Sequence, residues 1–150
     1  MTKIRGFELV STYNNQELLP KRETAHAAGY DLKVAENIVI APGEIVLVPT
    51  GVKAYMQPGE VLYLYDRSSN PRKKGLVLIN SVGVIDSDYR GEVKVKIHNN
   101  SDSIKFIMPG ERVAQLVVVP CLTAYKQVEE LSETERGVNG FGSTGKEVSK

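Results

Sequence analysis

Pro-Gly punctuation does most to limit what this chain can fold into. Apolar runs of three to seven residues recur along it: Ile38–Ile40, Ile45–Val48, Val61–Tyr65, Ile104–Ile107 and Val113–Val119. Ala41-Pro42-Gly43, Pro49-Thr50-Gly51, Gln57-Pro58-Gly59 and Met108-Pro109-Gly110 separate them. Helical periodicity is nearly absent. Short strands cut by turn residues indicate an all-β sandwich or jelly roll. Val93, Val95 and Ile97 alternate with Lys94 and Lys96, the mark of a strand with one wet face.

One further stretch concentrates polar chemistry. Gly83 to Glu92 reads Gly-Val-Ile-Asp-Ser-Asp-Tyr-Arg-Gly-Glu, with Leu76–Asn80 leading in and Val93–Ile97 leading out. The expected form is a β-hairpin with two carboxylates, a tyrosine and an arginine in a tight turn at its tip. Ser69-Asn70-Pro71-Arg72-Lys73-Lys74-Gly75 predicts the one short helix, with capping residues, an early proline and a glycine stop. Residues 1–131 form the expected β domain. Residues 132–150, with four glycines between Arg136 and Gly145, bury little and form a mobile tail.

Length and charge narrow the function classes. The chain has 150 residues, a one-domain length, with 41% hydrophobic residues to build a core. Nineteen basic and eighteen acidic residues leave a net charge of +1, which gives no electrostatic case for a nucleic acid polymer. Anion binding must therefore be local. Cys121 is the single cysteine, so no intrachain disulfide forms, and a reducing compartment fits. No apolar run suits a membrane span or a signal segment. The expectation is a cytoplasmic protein.

Several constellations suit anions and metal. Arg67-Ser68-Ser69 stands where a strand meets the helix, so amides, hydroxyls and a guanidinium converge on a phosphate; taken alone, the serines read as helix caps. In the tail, Arg136 suits charge developing on a transferring phosphoryl group, and Ser143 and Thr144 offer hydroxyls. Phe141, isolated among glycines such as Gly142, suits stacking on a planar base; the alternative is a tail with an incidental phenylalanine. Asp31, in Ala28-Gly29-Tyr30-Asp31-Leu32, suits Mg²⁺ held through water and reads equally as a turn acid. Gln115, in Gly110 to Leu116, needs a partner from backbone or ligand. Arg112 reads equally as a surface ion-pair residue. His26 and His98 lack metal-ligand spacing.

Together, Ala28–Leu32, Arg67–Ser69, Gly83–Glu92, Gly110–Leu116 and Arg136–Gly145 resemble, in this order, the five segments of the trimeric dUTP diphosphatase (dUTPase) family. The resemblance spans residues 28 to 145 and is specific as an ordered set. It implies a jelly-roll homotrimer whose shared active sites take segments from all three subunits, with the tail closing over nucleotide. It implies Mg²⁺-dependent hydrolysis of dUTP to dUMP and pyrophosphate, which keeps uracil out of DNA and supplies dUMP for thymidylate synthesis. On that basis Asp86 is the general base for water attacking the α-phosphorus. Tyr89 packs on the deoxyribose and excludes a 2′-hydroxyl. Asn80, with the backbone of Gly83, Val84 and Ile85, reads uracil. Arg67, Ser68, Ser69 and Gln115 hold phosphates, with Lys94 a further contact. Arg136, Gly142, Ser143 and Thr144 close on the triphosphate, Phe141 stacks on uracil, and Asp31 holds the metal's water shell.

Two departures stand beside the phosphate segment. Asp66 replaces the family's usual proline, and Asn70-Pro71 replaces small apolar residues. An extra acid at Asp66 weakens phosphate binding unless it pairs with Arg67 or a lysine. Two other readings compete with the diphosphatase. A dCTP deaminase-like relative needs a glutamate at the cytosine amine, and neither Glu92 nor Glu111 is argued into that role. A nucleotide-sensing module without turnover has no use for Asp86, Arg136 and Phe141 together. A tail ordered by nucleotide also suits gating of a regulatory partner, which the sequence does not identify.

Overall fold

The computed structural model describes residues 4–123, 129–130 and 132–138. Strands are numbered in chain order. The largest sheet runs β2 (Tyr30–Lys33), β11 (Arg112–Pro120), β6 (Glu60–Asp66) and β8 (Val82–Asp86). A second sheet runs β4 (Ile45–Val48), β9 (Val95–Asn99) and β7 (Leu76–Leu78). Two ribbons complete the set: β1 (Gly6–Leu9) with β5 (Val52–Tyr55), and β3 (Ile38–Ile40) with β10 (Lys105–Ile107). Every pairing is antiparallel. The all-β expectation holds, and both larger sheets feed one core that includes Leu32, Leu62, Leu64, Leu76, Val95, Ile97 and Leu116. Val93, Val95 and Ile97 are buried while Lys94 and Lys96 are exposed, as the alternation requires.

The punctuation is more specific than a generic turn. Ala41-Pro42-Gly43-Glu44, Gln57-Pro58-Gly59-Glu60 and Met108-Pro109-Gly110-Glu111 repeat one device. In each, the glutamate N–H donates to the carbonyl three residues back, at 3.0–3.1 Å. Glycine φ values of +74°, +82° and +86° explain why a Cβ is excluded there. Each glutamate side chain then accepts from the N–H of the turn's first residue: Ala41 to Glu44 at 2.7 Å, Gln57 to Glu60 at 3.0 Å and Met108 to Glu111 at 2.7 Å. One acid thereby closes each turn twice.

Two expectations are corrected. The segment from Gly83 to Glu92 is not a tight hairpin tip. β7 does pair with β9, Leu78 opposite Ile97, but the chain between them crosses to the other sheet. Ser81, at φ +61°, turns the chain out of β7, and β8 then pairs along β6 from Tyr65↔Val82 to Val61↔Asp86. Gly83 allows this close approach, because a Cβ there would lie 3.0 Å from that of Leu64. Its glycine and acids read as turn residues, although Val82–Asp86 is extended. The helix exists as a single π-helical turn, Asn70–Lys74, closed by Gly75 at φ +66°. Ser69 makes no side-chain capping bond, so the cap reading of that serine fails. A second short helical turn, Gln16–Leu18, is capped by Asn15.

Candidate active site

The crossover from β7 to β8 opens a cleft of about 600 Å³ between the two larger sheets. Leu64 and Gly83–Asp86 line one wall, and Leu47, Leu78, Lys94 and Lys96 the other. Asn80 stands at the corner, its amide nitrogen beside Gly83. Tyr89, Glu92 and Val93 complete the lining. Asn80, Gly83, Val84, Ile85, Asp86, Tyr89 and Lys94, all singled out in the sequence, thus meet in one space. Glu92 and Lys96 join them and carried no role in the sequence reading; alternation of Lys96 with buried Val95 and Ile97 was the available signal.

Each element sets its side chain for a local reason. β8 is an edge strand, so its outer row of N–H and C=O groups has no strand partner among the described residues. Such a row presents fixed donors and acceptors to a flat ring. Asp86 ends β8 and accepts the Tyr89 N–H at its carbonyl, 3.1 Å away, which closes the turn. Arg90 donates to the carbonyls of Ser87 and Tyr89, at 2.8 and 3.0 Å, and stiffens it. Tyr89 folds back over Gly91, where a Cβ would come 2.3 Å from its hydroxyl, and donates to the Glu92 carbonyl at 3.2 Å.

Glu92 is fully engaged. One oxygen accepts the Thr50 and Gly51 N–H groups at 3.0 and 2.7 Å, and the other pairs with Lys94 at 3.6 Å. Tyr13 packs on Gly51 and donates to Glu36, whose carboxylate pushes the phenol up to about 12. Glu111 lies off the cleft, held by Lys74 at 2.6 Å and by the Met108 N–H. Burial pushes its carboxyl up, but these two partners outweigh burial and hold it below the usual range. Both glutamates that a deaminase reading would draw on are thus bound to structural partners. The Asp86 carboxylate, exposed to the cleft, makes no ion pair or side-chain hydrogen bond among the described residues.

A second group assembles at the opposite edge of the large sheet. Asp31 on β2 stands between two arginines: Arg67 Nε lies 3.1 Å from Oδ1 and Arg112 Nη1 3.1 Å from Oδ2. Arg112 also pairs with Glu23, as the ion-pair reading expected. Gln115, opposite Asp31 in register, packs its oxygen over Gly29, where a Cβ would lie 2.4 Å away. Its Nε2 donates to the Asp66 carbonyl at 3.0 Å, so backbone supplies the partner the sequence required. Ser68 is exposed and Ser69 half-buried beside Arg67. Among the described residues no three His, Cys, Asp or Glu side chains group to hold a metal directly. Asp31 nonetheless retains a lone pair on each oxygen, which suits one water of a metal's shell.

Arg136 is exposed, next to a turn in which Gly137 N–H donates to the Thr134 carbonyl and hydroxyl, both at 3.1 Å. Phe141, Gly142, Ser143 and Thr144 lie outside the described residues. The two described groups do not meet within one chain. Asp31 and Asp86 sit three strands apart across the sheet and four residues apart along β6, Tyr65 against Val61. At ~4.8 Å per strand and ~3.3 Å per residue, the separation is roughly 20 Å.

Comparison with known proteins converges on one family. The dUTPase family model matches residues 15–145. A deoxyuridine 5′-triphosphate nucleotidohydrolase of Lactococcus lactis is 57% identical over 150 residues, covering 95% of this chain and 99% of its own. The crystal structure of a dUTPase from Streptococcus mutans superposes with a TM-score of 0.79 at 62% identity, over 81% of this chain and 99% of that one. A Staphylococcus bacteriophage 80alpha dUTPase, a G164S mutant with dUpNHpp, gives 0.84 at 32% identity, over 96% and 99%. With a family model over residues 15–145 and a relative 57% identical across nearly its whole length, the chain belongs to the dUTPase family.

Proposed function

We propose that the chain hydrolyses dUTP to dUMP and pyrophosphate by direct attack of water on the α-phosphorus, with Asp86 as general base. The observation that carries this is Asp86 itself, the carboxylate in the cleft that no cation or N–H group holds among the described residues. The other carboxylate there, Glu92, is committed to backbone and Lys94. Asp86 accepts a proton from water as its oxygen bonds to phosphorus. The bond from phosphorus to the β-phosphate oxygen breaks, and pyrophosphate leaves with that electron pair.

The rest of the cleft serves recognition. Uracil lies against the β8 edge, read by the Asn80 amide and the backbone of Gly83, Val84 and Ile85. Tyr89, pinned over Gly91, meets the deoxyribose face and leaves no room for a 2′-hydroxyl. Arg67, Ser68, Ser69 and Gln115 hold the phosphates, with Lys94 a further cation. Arg136, Gly142, Ser143 and Thr144 close on the triphosphate, and Phe141 stacks on the base. Asp31 would hold a water in the shell of a Mg²⁺ ion bound with the triphosphate, and such an ion would supply charge neutralisation at the phosphate oxygens.

Support for a homotrimer with shared sites comes from the separation of roughly 20 Å between Asp86 and Asp31 across the sheet. Attack requires near-contact geometry at phosphorus, so one nucleotide bound at the Asp86 cleft takes its phosphate grip from another copy. No described helix is long and apolar enough to cross a membrane. The lone Cys121 fits a cytoplasmic setting. The test is pyrophosphate release from dUTP, dCTP, dTTP and UTP, with Mg²⁺ and with chelator. Release from dUTP alone, abolished by chelation, is the expected result. Ammonia from dCTP, or no turnover of any of the four, contradicts the reading.

A further inference from the structure

Asp66 and Asn70, the residues that depart from the family pattern, form a single bracket around the Arg67-Ser68-Ser69 loop. Asp66 Oδ1 accepts from the Arg67 N–H and from Asn70 Nδ2, each at 2.7 Å, and Oδ2 accepts from the Leu78 N–H at 3.0 Å. Asn70 is 3% exposed, and its Nδ2 also donates to the Val113 carbonyl at 2.7 Å. The Asn70 N–H donates to the Arg67 carbonyl at 2.9 Å. One carboxylate and one carboxamide therefore tie together the end of β6, both ends of the loop, β7 and β11.

The chemistry of the bracket is one-sided. Both partners of Asn70 Nδ2 are oxygens, so the amide sits only one way round. Its Oδ1 is buried and has no hydrogen-bond partner among the described residues. The Asp66 carboxylate faces N–H groups and an amide, whereas the Arg67 guanidinium goes to Asp31 at 3.1 Å. The extra acid thus pairs with neither the Arg67 guanidinium nor a lysine, and its charge is met by two backbone N–H groups and a carboxamide. Proline and a small apolar residue at these two positions would supply none of the side-chain bonds.

We propose that Asp66 and Asn70 are positioning residues for the triphosphate: they fix the Arg67–Ser69 loop in its phosphate-binding form and take no part in base or sugar recognition. This rests on the reading of Arg67–Ser69 as the phosphate segment. The test compares binding of dUpNHpp and of dUMP by calorimetry for the full chain and for Asn70→Ala, with Arg67→Ala as control. Asn70→Ala weakens dUpNHpp by roughly tenfold and leaves dUMP within about twofold. Its dUTP KM rises while kcat changes less. Unchanged dUpNHpp affinity, or equal weakening of both ligands, overturns the proposal. If Asn70→Ala does not fold, Asp66→Asn, equal in volume, is judged by the same outcomes. If Arg67→Ala leaves dUpNHpp affinity untouched, the phosphate reading of the loop fails, independently of the bracket.

Discussion

Asp31, Asp66, Glu92 and Glu111 are each held by cations or N–H groups, and among the described residues Asp86 is not. A carboxylate surrounded by donors has little reason to take a proton from water, and an uncommitted one facing a cleft is suited to it. Asp86→Asn keeps the shape and removes the base, so kcat falls by roughly 10²–10⁴-fold while dUpNHpp still binds. Stopped-flow turnover beside calorimetry measures both, and retained turnover removes Asp86 from the mechanism. Gly91 governs the tyrosine in the same local way. A methyl at Gly91 displaces the Tyr89 ring, so Gly91→Ala, like Tyr89→Ala, raises kcat/KM for UTP relative to dUTP by roughly tenfold. An unchanged ratio in both variants contradicts the steric gate. At this scale the sequence was informative because the chemistry sits in short contiguous segments. The Asp31–Arg112 pair joins residues 81 positions apart, and no local pattern announces it.

The strands show where periodicity succeeds and where it stops. β6, β9 and β11 were legible because apolar residues alternate or run unbroken between turns. β8 was not, because Gly83 and Asp86 serve close packing and the cleft rather than the core. The Pro-Gly-Glu turns were legible as breaks, while their glutamate closure needed coordinates. That closure has a pH signature at Glu111. Lys74 and the Met108 N–H hold the folded carboxyl below its ordinary value of 4.5 despite burial. The stability it adds is therefore present above pH 4.5 and is lost as pH falls through the lower folded value. About a third exposed, the pair is screened by solvent. Glu111→Gln should lower the melting temperature by roughly 1–3 °C at pH 7, with the gap to the parent closing towards pH 3. A gap that stays constant with pH contradicts the ionic origin.

At the scale of the whole molecule, the sequence carried all five segments in order, but nothing in its local patterns separates them in space. Sheet order does so: β8 and β2 are opposite edges of one sheet, so Asp86 and Asp31 lie roughly 20 Å apart within one chain. The central claim is that each working site combines Asp86 of one copy with the phosphate loop of another. Co-expression of Asp86→Asn and Arg67→Ala chains tests it most directly, by pyrophosphate release from dUTP. Each variant alone is nearly inactive. In equal mixtures, random assembly leaves roughly a quarter of sites with both residues intact, and activity returns to about that fraction of the parent. If the mixed assemblies stay as inactive as their parents, both residues act from one chain and the account is wrong.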